Sequence, residues 1–253
     1  MRWRRLAQRN RNDLIRAWAI ARKDMRIYYF KPPVIMFGIL TPVFLFLSFM
    51  VRRHMDASQL IPGLMAMTVF FGSSSVTSAI IPWERMQQTF DRLLMAPISL
   101  FAVLWGKTMA GIVFGLGVSL VPLIIGVLAF GMRVDQPELL LVTLILSACV
   151  FSSLGVLFAS RPSQSPGDIM MVGNMVRLPL IFVSGIFIPL ADLPRWGEAI
   201  AFLSPLTYCN DLMNRAIAGH THIPTALDVA ALIGFWIVFL LAGTRLHALS
   251  KRA

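Results

Sequence analysis

Six stretches of the chain are apolar over lengths that could cross a bilayer: about 33–51, 60–82, 104–131, 138–160, 169–190 and 226–246. A spanning helix needs about 20 predominantly apolar residues. The glycines and prolines inside these stretches do not argue against helices, because membrane helices tolerate both. The segment ahead of them reads differently. Leu14, Trp18, Ala21, Met25 and Tyr28 step by four, three, four and three, which is one face of a helix. Arg16, Lys23 and Arg26 lie largely opposite. Residues 1–31 are therefore expected to form a basic amphipathic helix at the membrane surface, with arginines toward lipid phosphates. Residues 32–253 are expected to form an all-α polytopic membrane domain of six spans, without an internal repeat.

Composition narrows the class. Of 253 residues, 57% are hydrophobic and 14% charged, with a mean hydropathy of +0.73. A soluble domain carries about 25% charged residues. That excludes a disordered chain, a disulfide scaffold or an ordinary cytosolic enzyme, and leaves no room for a large soluble catalytic domain. The net charge of +11 points to nucleic acid only until the positive residues are placed. With the N-terminus inside, 17 of the 23 Lys and Arg fall in inner segments, 5 in outer segments, and Arg177 inside a span. The expected location is a bacterial inner membrane, and the asymmetry predicts both termini in the cytoplasm. It accounts for the charge without nucleic acid. No cleavable signal peptide is evident, because the first apolar run begins only near Pro33, after a long charged stretch. Cys149 and Cys209 form no metal-ligand pattern, and His220 and His222 read as solvated outer-loop residues. No Ser-His-Asp, Cys-His or paired-carboxylate set stands out. Gly106-Lys107-Thr108 is like the end of a P-loop, but the glycine required five positions earlier is Phe101. Lys107 is read instead as an anchor snorkelling from the inner end of a span.

Two connecting segments carry more information. On the inner side, Trp83 to Pro97 places Met86, Phe90, Leu93 and Pro97 on one helical face, with charged and amide side chains on the other. Pro97 should end that helix. A short amphipathic helix on a cytoplasmic loop can lie on lipid or enter a groove on a soluble partner. On the outer side, residues 184–208 are too apolar for a free loop and too interrupted for a span. Residues 195–203 could form a short helix held at the outer leaflet, with Trp196 and Tyr208 as interfacial anchors.

Glu84-Arg85 followed by Leu93-Leu94-Met95-Ala96-Pro97-Ile98-Ser99 resembles the cytoplasmic loop of type-2 ABC exporter permeases. Ser184-Gly185, Pro189, Leu193-Pro194 and Ser204-Pro205-Leu206-Thr207-Tyr208 resemble the same family's signature around its last two spans. The order and separation of the motifs, the six spans and the basic N-terminal helix agree over essentially the whole chain. The drug-resistance and nodulation-factor exporters are the nearest in flavour. The resemblance implies a half-transporter: two such subunits, as homodimer or heterodimer, docked on two copies of a separate nucleotide-binding ATPase. ATP and Mg would be bound there, with no cofactor on this chain. It implies a coupling helix over 84–96, involving Glu84, Arg85, Met86, Phe90, Asp91, Arg92, Leu93, Leu94 and Pro97. It implies outer re-entrant helices over 190–208, around Pro189, Pro194, Trp196, Pro205 and Tyr208, and a smaller inner contact at Arg161 to Pro166. The expected cargo is lipid-like, drug-like or a glycoconjugate, moved outward.

Arg177 lies about 13 Å along a helix from Asp168, near the bilayer midplane. A charge there costs about 2.5–3.5 kcal/mol on insertion scales and should face the bundle interior or water. Asn174, Arg177 and Ser184 form one polar stripe. It reads either as a pathway wall meeting a polar substrate head or as an interhelical link. Gly111 and Gly115 read as close helix packing. The rival to an ATP-driven permease is a gradient-driven transporter or channel without an ATPase; a lipid enzyme or a membrane scaffold are further rivals.

Overall fold

A computed structural model describes residues 2–50, 57–95, 98–161, 163, 165–188, 190, 193–219 and 221–250. Pro97 and Pro189 lie outside the described residues. The described chain is helical, in the order α1 (Arg2–Tyr28), α2 (Pro32–Ile35), a π-helical turn (Met36–Leu40), α3 (Thr41–Met50), α4 (Ala57–Met86), α5 (Thr89–Met95), α6 (Leu100–Phe130), α7 (Pro137–Phe158), α8 (Pro166–Val183), α9 (Arg195–Ala201), α10 (Pro205–Ala218) and α11 (Thr225–Ser250).

Among the described residues, five helices are long and apolar enough to cross a membrane: Leu60–Met86, Leu100–Phe130, Pro137–Phe158, Pro166–Val183 and Thr225–Leu249. The stretch expected as the first span is helical from Pro32 to Met50 but divided by the π-helical turn. Local chemistry sets several starts and stops. Ser99 accepts from the Ala102 N–H at 3.2 Å and caps α6, and Gly131 in the left-handed region ends it. Ser165-Pro166 and Ser204-Pro205 begin α8 and α10 alike, with a serine cap and proline in the first turn.

α4 is the central element. Its apolar window is 94% buried, and it packs on α6, α7, α8 and α10. Ser73, Ser74, Ser75, Thr77 and Ser78 are all buried, small enough for neighbouring backbones to approach. At Gly115 of α6 a Cβ would lie 1.8 Å from the Ser73 hydroxyl, so the glycine is required for that contact. The apolar core is formed by Phe70, Phe71 and Phe151 together with Leu206, Leu212 and Met213 of α10. α10 is a buried 14-residue helix, longer than the outer segment suggested in the sequence.

Candidate functional site

The inner end of the bundle gathers most of the chemistry. α1 packs along α6 and α4. Its protein-facing side is Ala17, Ile20, Ala21, Asp24 and Tyr28, one residue away from the apolar stripe expected in the sequence. Trp18 of that stripe is 51% exposed and, with Ile15 one turn earlier, offers apolar surface suited to lipid. At Gly106 of α6 a Cβ would lie 2.6 Å from the Ala17 carbonyl oxygen, so α1 and α6 meet backbone to backbone.

That approach brings four charges together. The Lys107 ammonium is 2.5 Å from Glu84 Oε2 and 3.3 Å from Asp24 Oδ2. Lys23 Nζ lies 2.9 Å from Asp24 Oδ1 and pairs with Glu84 Oε1. Two carboxylates and two ammonium groups balance, and only Lys23 reaches solvent. Burial works against the Lys23 charge, but Asp24 and Glu84 outweigh it and raise its pKa. Burial, with Glu84 adding to it, pushes the Tyr28 phenol up to about 12. Tyr28 stacks on Trp83 at 5.7 Å, and Lys31 caps that ring at 5.8 Å. Tyr29 donates to the Ala110 carbonyl at 2.5 Å. Lys107 is thus a fully buried ion-pair centre, not a snorkelling anchor. The sequence offered a signal for it: Asp24 is an acid on the face of α1 that Ala17, Ala21 and Tyr28 make apolar.

The expected coupling residues divide between two helices. Glu84, Arg85 and Met86 form the last turn of α4, whereas Asp91, Arg92, Leu93 and Leu94 lie in α5. Between them Gln88 adopts φ 56, a left-handed residue that stops α4. The Thr89 hydroxyl donates to the Glu84 carbonyl across the break at 3.2 Å. Glu84 faces inward. Phe90 is buried against Ile20, Ile81 and Leu104, with Leu93 packed beside it. Arg92, Met86 and Met95 are outward, Met95 80% exposed. Arg85 lies over the Phe90 ring at 5.4 Å and donates to the Arg161 carbonyl at 2.7 Å, which ties the two inner loops together.

Arg177 is 0% exposed. It donates to Asn174 Oδ1 at 3.1 Å and to the Ser78 hydroxyl of α4 at 3.2 Å, and lies over the Phe158 ring of α7 at 5.4 Å. Asn174 and Arg177 are therefore joined, while Ser184, about 10 Å further along, donates to its own helix at Ile181. A cavity of about 590 Å³ lies beside Asn174, lined also by Trp83, Pro166, Met170, Met171 and Met175. On the far side of the bundle, Pro194 precedes α9 and Trp196 is 69% exposed. Pro205 opens α10, and the Tyr208 hydroxyl donates to the Phe202 carbonyl at 2.8 Å. The Asp211 carboxylate, unremarked in the sequence, accepts from the Thr221 hydroxyl and the His222 and Ile223 N–H groups, pinning the turn before α11. Among the described residues no group of three or more His, Cys, Asp or Glu could hold a metal ion.

The model of the ABC-2 type transporter family matches residues 16–217, from the middle of α1 to the end of α10. The chain belongs to this family. Among curated relatives, the inner membrane transport permease YadH of Escherichia coli is 25% identical over 182 residues, covering 72% of this chain and 71% of YadH. Nodulation protein J of Rhizobium leguminosarum bv. trifolii is 29% identical over 160 residues, 62% of this chain and 56% of its own. A third relative, named "Probable multidrug ABC transporter permease YbhR" in Escherichia coli, is 25% identical over 153 residues, 60% of this chain and 41% of its own. This ABC-2 chain is a multi-pass membrane protein and the transmembrane subunit of an ABC exporter.

Proposed function

We propose that the chain works as one of two permease subunits above a pair of separate ATPase subunits, and that α5 is the helix seated on the ATPase. The observation that carries this reading is the inner end of the bundle. There a seven-residue helix buries Phe90 in the permease and leaves Arg92 and Met95 outward. A helix held on one side and open on the other is suited to a groove in a soluble partner. ATP and Mg would be held by that partner. The Arg161 backbone, tied to Arg85, would be the second, smaller contact.

In this reading Pro32–Met50 is the first of six spans, and the Lys and Arg asymmetry puts both termini in the cytoplasm. The path runs along α8. Asn174 offers a hydrogen-bonding group to the Met-lined cavity, and Arg177 behind it fixes its orientation. Such a wall suits a cargo with a long apolar body and a small polar head: a lipid-like, drug-like or glycoconjugate molecule. The stretch from Pro189 to Tyr208, with α9 and the start of α10, would close the path from outside as a re-entrant element. Nucleotide binding would close the ATPase pair, and α5 would pass that movement to α4.

Gentle detergent purification of the tagged chain from native membranes, with mass spectrometry of the co-purifying chains, tests the reading. A stoichiometric P-loop ATPase supports it. A clean preparation without one, stable under crosslinking, favours a gradient-driven transporter.

A further inference from the structure

A second recess lies away from α8 and shares no residue with the Met-lined cavity. It is a groove of about 400 Å³ between α3, α4 and α6, lined by Val43, Leu47, Leu64, Thr68, Val121 and Ile125 among others. Its origin is local. At the π-helical turn Gly38 lies against the Phe114 ring of α6, where a Cβ would stand 3.0 Å away. Beyond that turn α3 packs on α4, and the groove opens beside α6. At Gly111 and Gly115 of α6 a Cβ would strike Ser152 and Ser73, so both glycines serve helix packing. At Gly117 it would meet nothing within 4 Å, although a glycine inside a helix costs stability relative to alanine. Gly117 borders the groove, and no contact within the chain requires it.

The lining offers a ligand no free side-chain hydrogen bond. Thr68 is its one hydroxyl residue, and that hydroxyl donates to the Met65 carbonyl at 3.0 Å. Water has no partners there, and an unfilled groove forfeits dispersion contacts along its length. From Gly117 to Phe130 the groove extends about 20 Å along α6, at about 1.5 Å per residue. One leaflet of hydrocarbon is about 15 Å deep, half of a core of about 30 Å. The shape fits an extended chain crossing one leaflet rather than a compact molecule.

The end of the groove is basic. Arg133, which is exposed, follows Phe130 by three residues. Asp135 lies instead against Gly219 at the end of α10. Arg52 and Arg53, outside the described residues, follow Leu47 by five and six positions in the sequence, with Asp56 beyond them. Three of the five outer Lys and Arg thus follow the helices that line this groove, against the general bias of positive charge to the inner side.

We propose that the groove holds one acyl chain of an anionic outer-leaflet phospholipid, with its phosphate at Arg133, as a resident ligand distinct from the cargo. The assignment to the outer leaflet rests on the reading of Pro32–Met50 as the first span with the N-terminus inside.

The purified chain, with the subunits that accompany it, is placed in phosphatidylcholine nanodiscs holding a trace of phosphatidylglycerol with a photoreactive diazirine in one acyl chain. After irradiation, adducts are mapped by mass spectrometry. They should concentrate on the groove residues of α3, α4 and α6, and unlabelled phosphatidylglycerol should compete far better than the same amount of added phosphatidylcholine. Gly117→Leu should lower the groove yield about tenfold, the change expected when about two methylenes' worth of contact is displaced. Adducts on α11 should stay as they were. Arg133→Gln should weaken the preference for phosphatidylglycerol. Adducts spread evenly over α8, α11 and the groove overturn the proposal. So do equal competition by the two lipids, a Gly117→Leu yield equal to the parent, or an Arg133→Gln chain that keeps the full preference. Should Gly117→Leu fail to assemble, Val121→Phe fills the same groove from an exposed position of α6 and is read in the same way. A membrane-impermeant thiol reagent on Arg133→Cys, in spheroplasts and with Cys149→Ala and Cys209→Ala, checks the leaflet separately. Labelling from outside is expected. Labelling only after the membrane is opened would overturn the topology reading, and the outer-leaflet assignment with it.

Discussion

Lys107 and Arg177 are both 0% exposed, yet they are accommodated in opposite ways. Lys107 sits at the inner end of the bundle between two carboxylates. Arg177 sits inside α8 among neutral groups: an amide, a hydroxyl and an aromatic ring. Among the described residues no carboxylate pairs with it. The first arrangement is a closed set of ions in which each member depends on the others. The second is a single cation spread over weak contacts, none of them indispensable. Buried positive charge is therefore not one kind of feature in this permease. The inner cluster ties α1, α4 and α6 together, whereas Arg177 holds Asn174 and links α8 to α4 through Ser78.

The two sites should respond differently to loss of a partner. Glu84→Ala strands Lys107 against one remaining carboxylate, and breaking a buried ion set costs about 3–5 kcal/mol. A denaturant titration of the purified chain in detergent should show that drop, and an unchanged midpoint would refute the closed-set account. Replacing the three buried members together, with Asp24→Leu, Glu84→Met and Lys107→Met, leaves only the part-exposed Lys23 and should recover most of the loss, since well-packed apolar replacements of buried ions are often neutral or stabilising by about 1–4 kcal/mol. Arg177→Met should change stability by no more than about 1 kcal/mol. It gives up one interhelical hydrogen bond, to Ser78, and such bonds average about 0.6 kcal/mol. If Arg177→Met matched Glu84→Ala in the same titration, the contrast between the sites would be lost. Ser78→Ala, which takes away one neutral acceptor, should cost about 0.6 kcal/mol. A double-mutant cycle with Arg177→Met should return a coupling of the same small size.

Much of the architecture was legible because lipid imposes a strong rule: backbone groups must be satisfied within a helix, so long apolar runs become helices. The runs at 60–82, 104–131, 138–160 and 226–246 correspond to α4, α6, α7 and α11. The 169–190 run gave α8 but overshot its end, because the backbone turns at Ser184 and Gly185, where φ is +80. The inner cluster was legible only through Asp24, an acid on an apolar face of α1, and its partners were not. Periodicity ranks positions by apolarity, so Asp24 fell outside the stripe it belongs to, and Lys107 looked like a span-end residue with water in reach. Pairing across 83 and 23 positions leaves no local trace. The break at Gln88 was equally hidden, since glutamine is an ordinary helix residue and only its left-handed backbone ends α4. α10 was missed because the interrupted outer segment was read only as far as Tyr208, while Cys209, Leu212 and Met213, which continue its buried face, lie beyond that point.

The account depends most on α5 as the contact through which ATP hydrolysis reaches the membrane. A photo-crosslinking residue placed at Met95, and a control at Leu128 near the opposite end of α6, would test this in native membranes; both side chains are 80% exposed. Met95 should form an adduct with a P-loop ATPase and Leu128 should not. Adducts at Met95 only with lipid, in membranes where the ATPase is present, would contradict it.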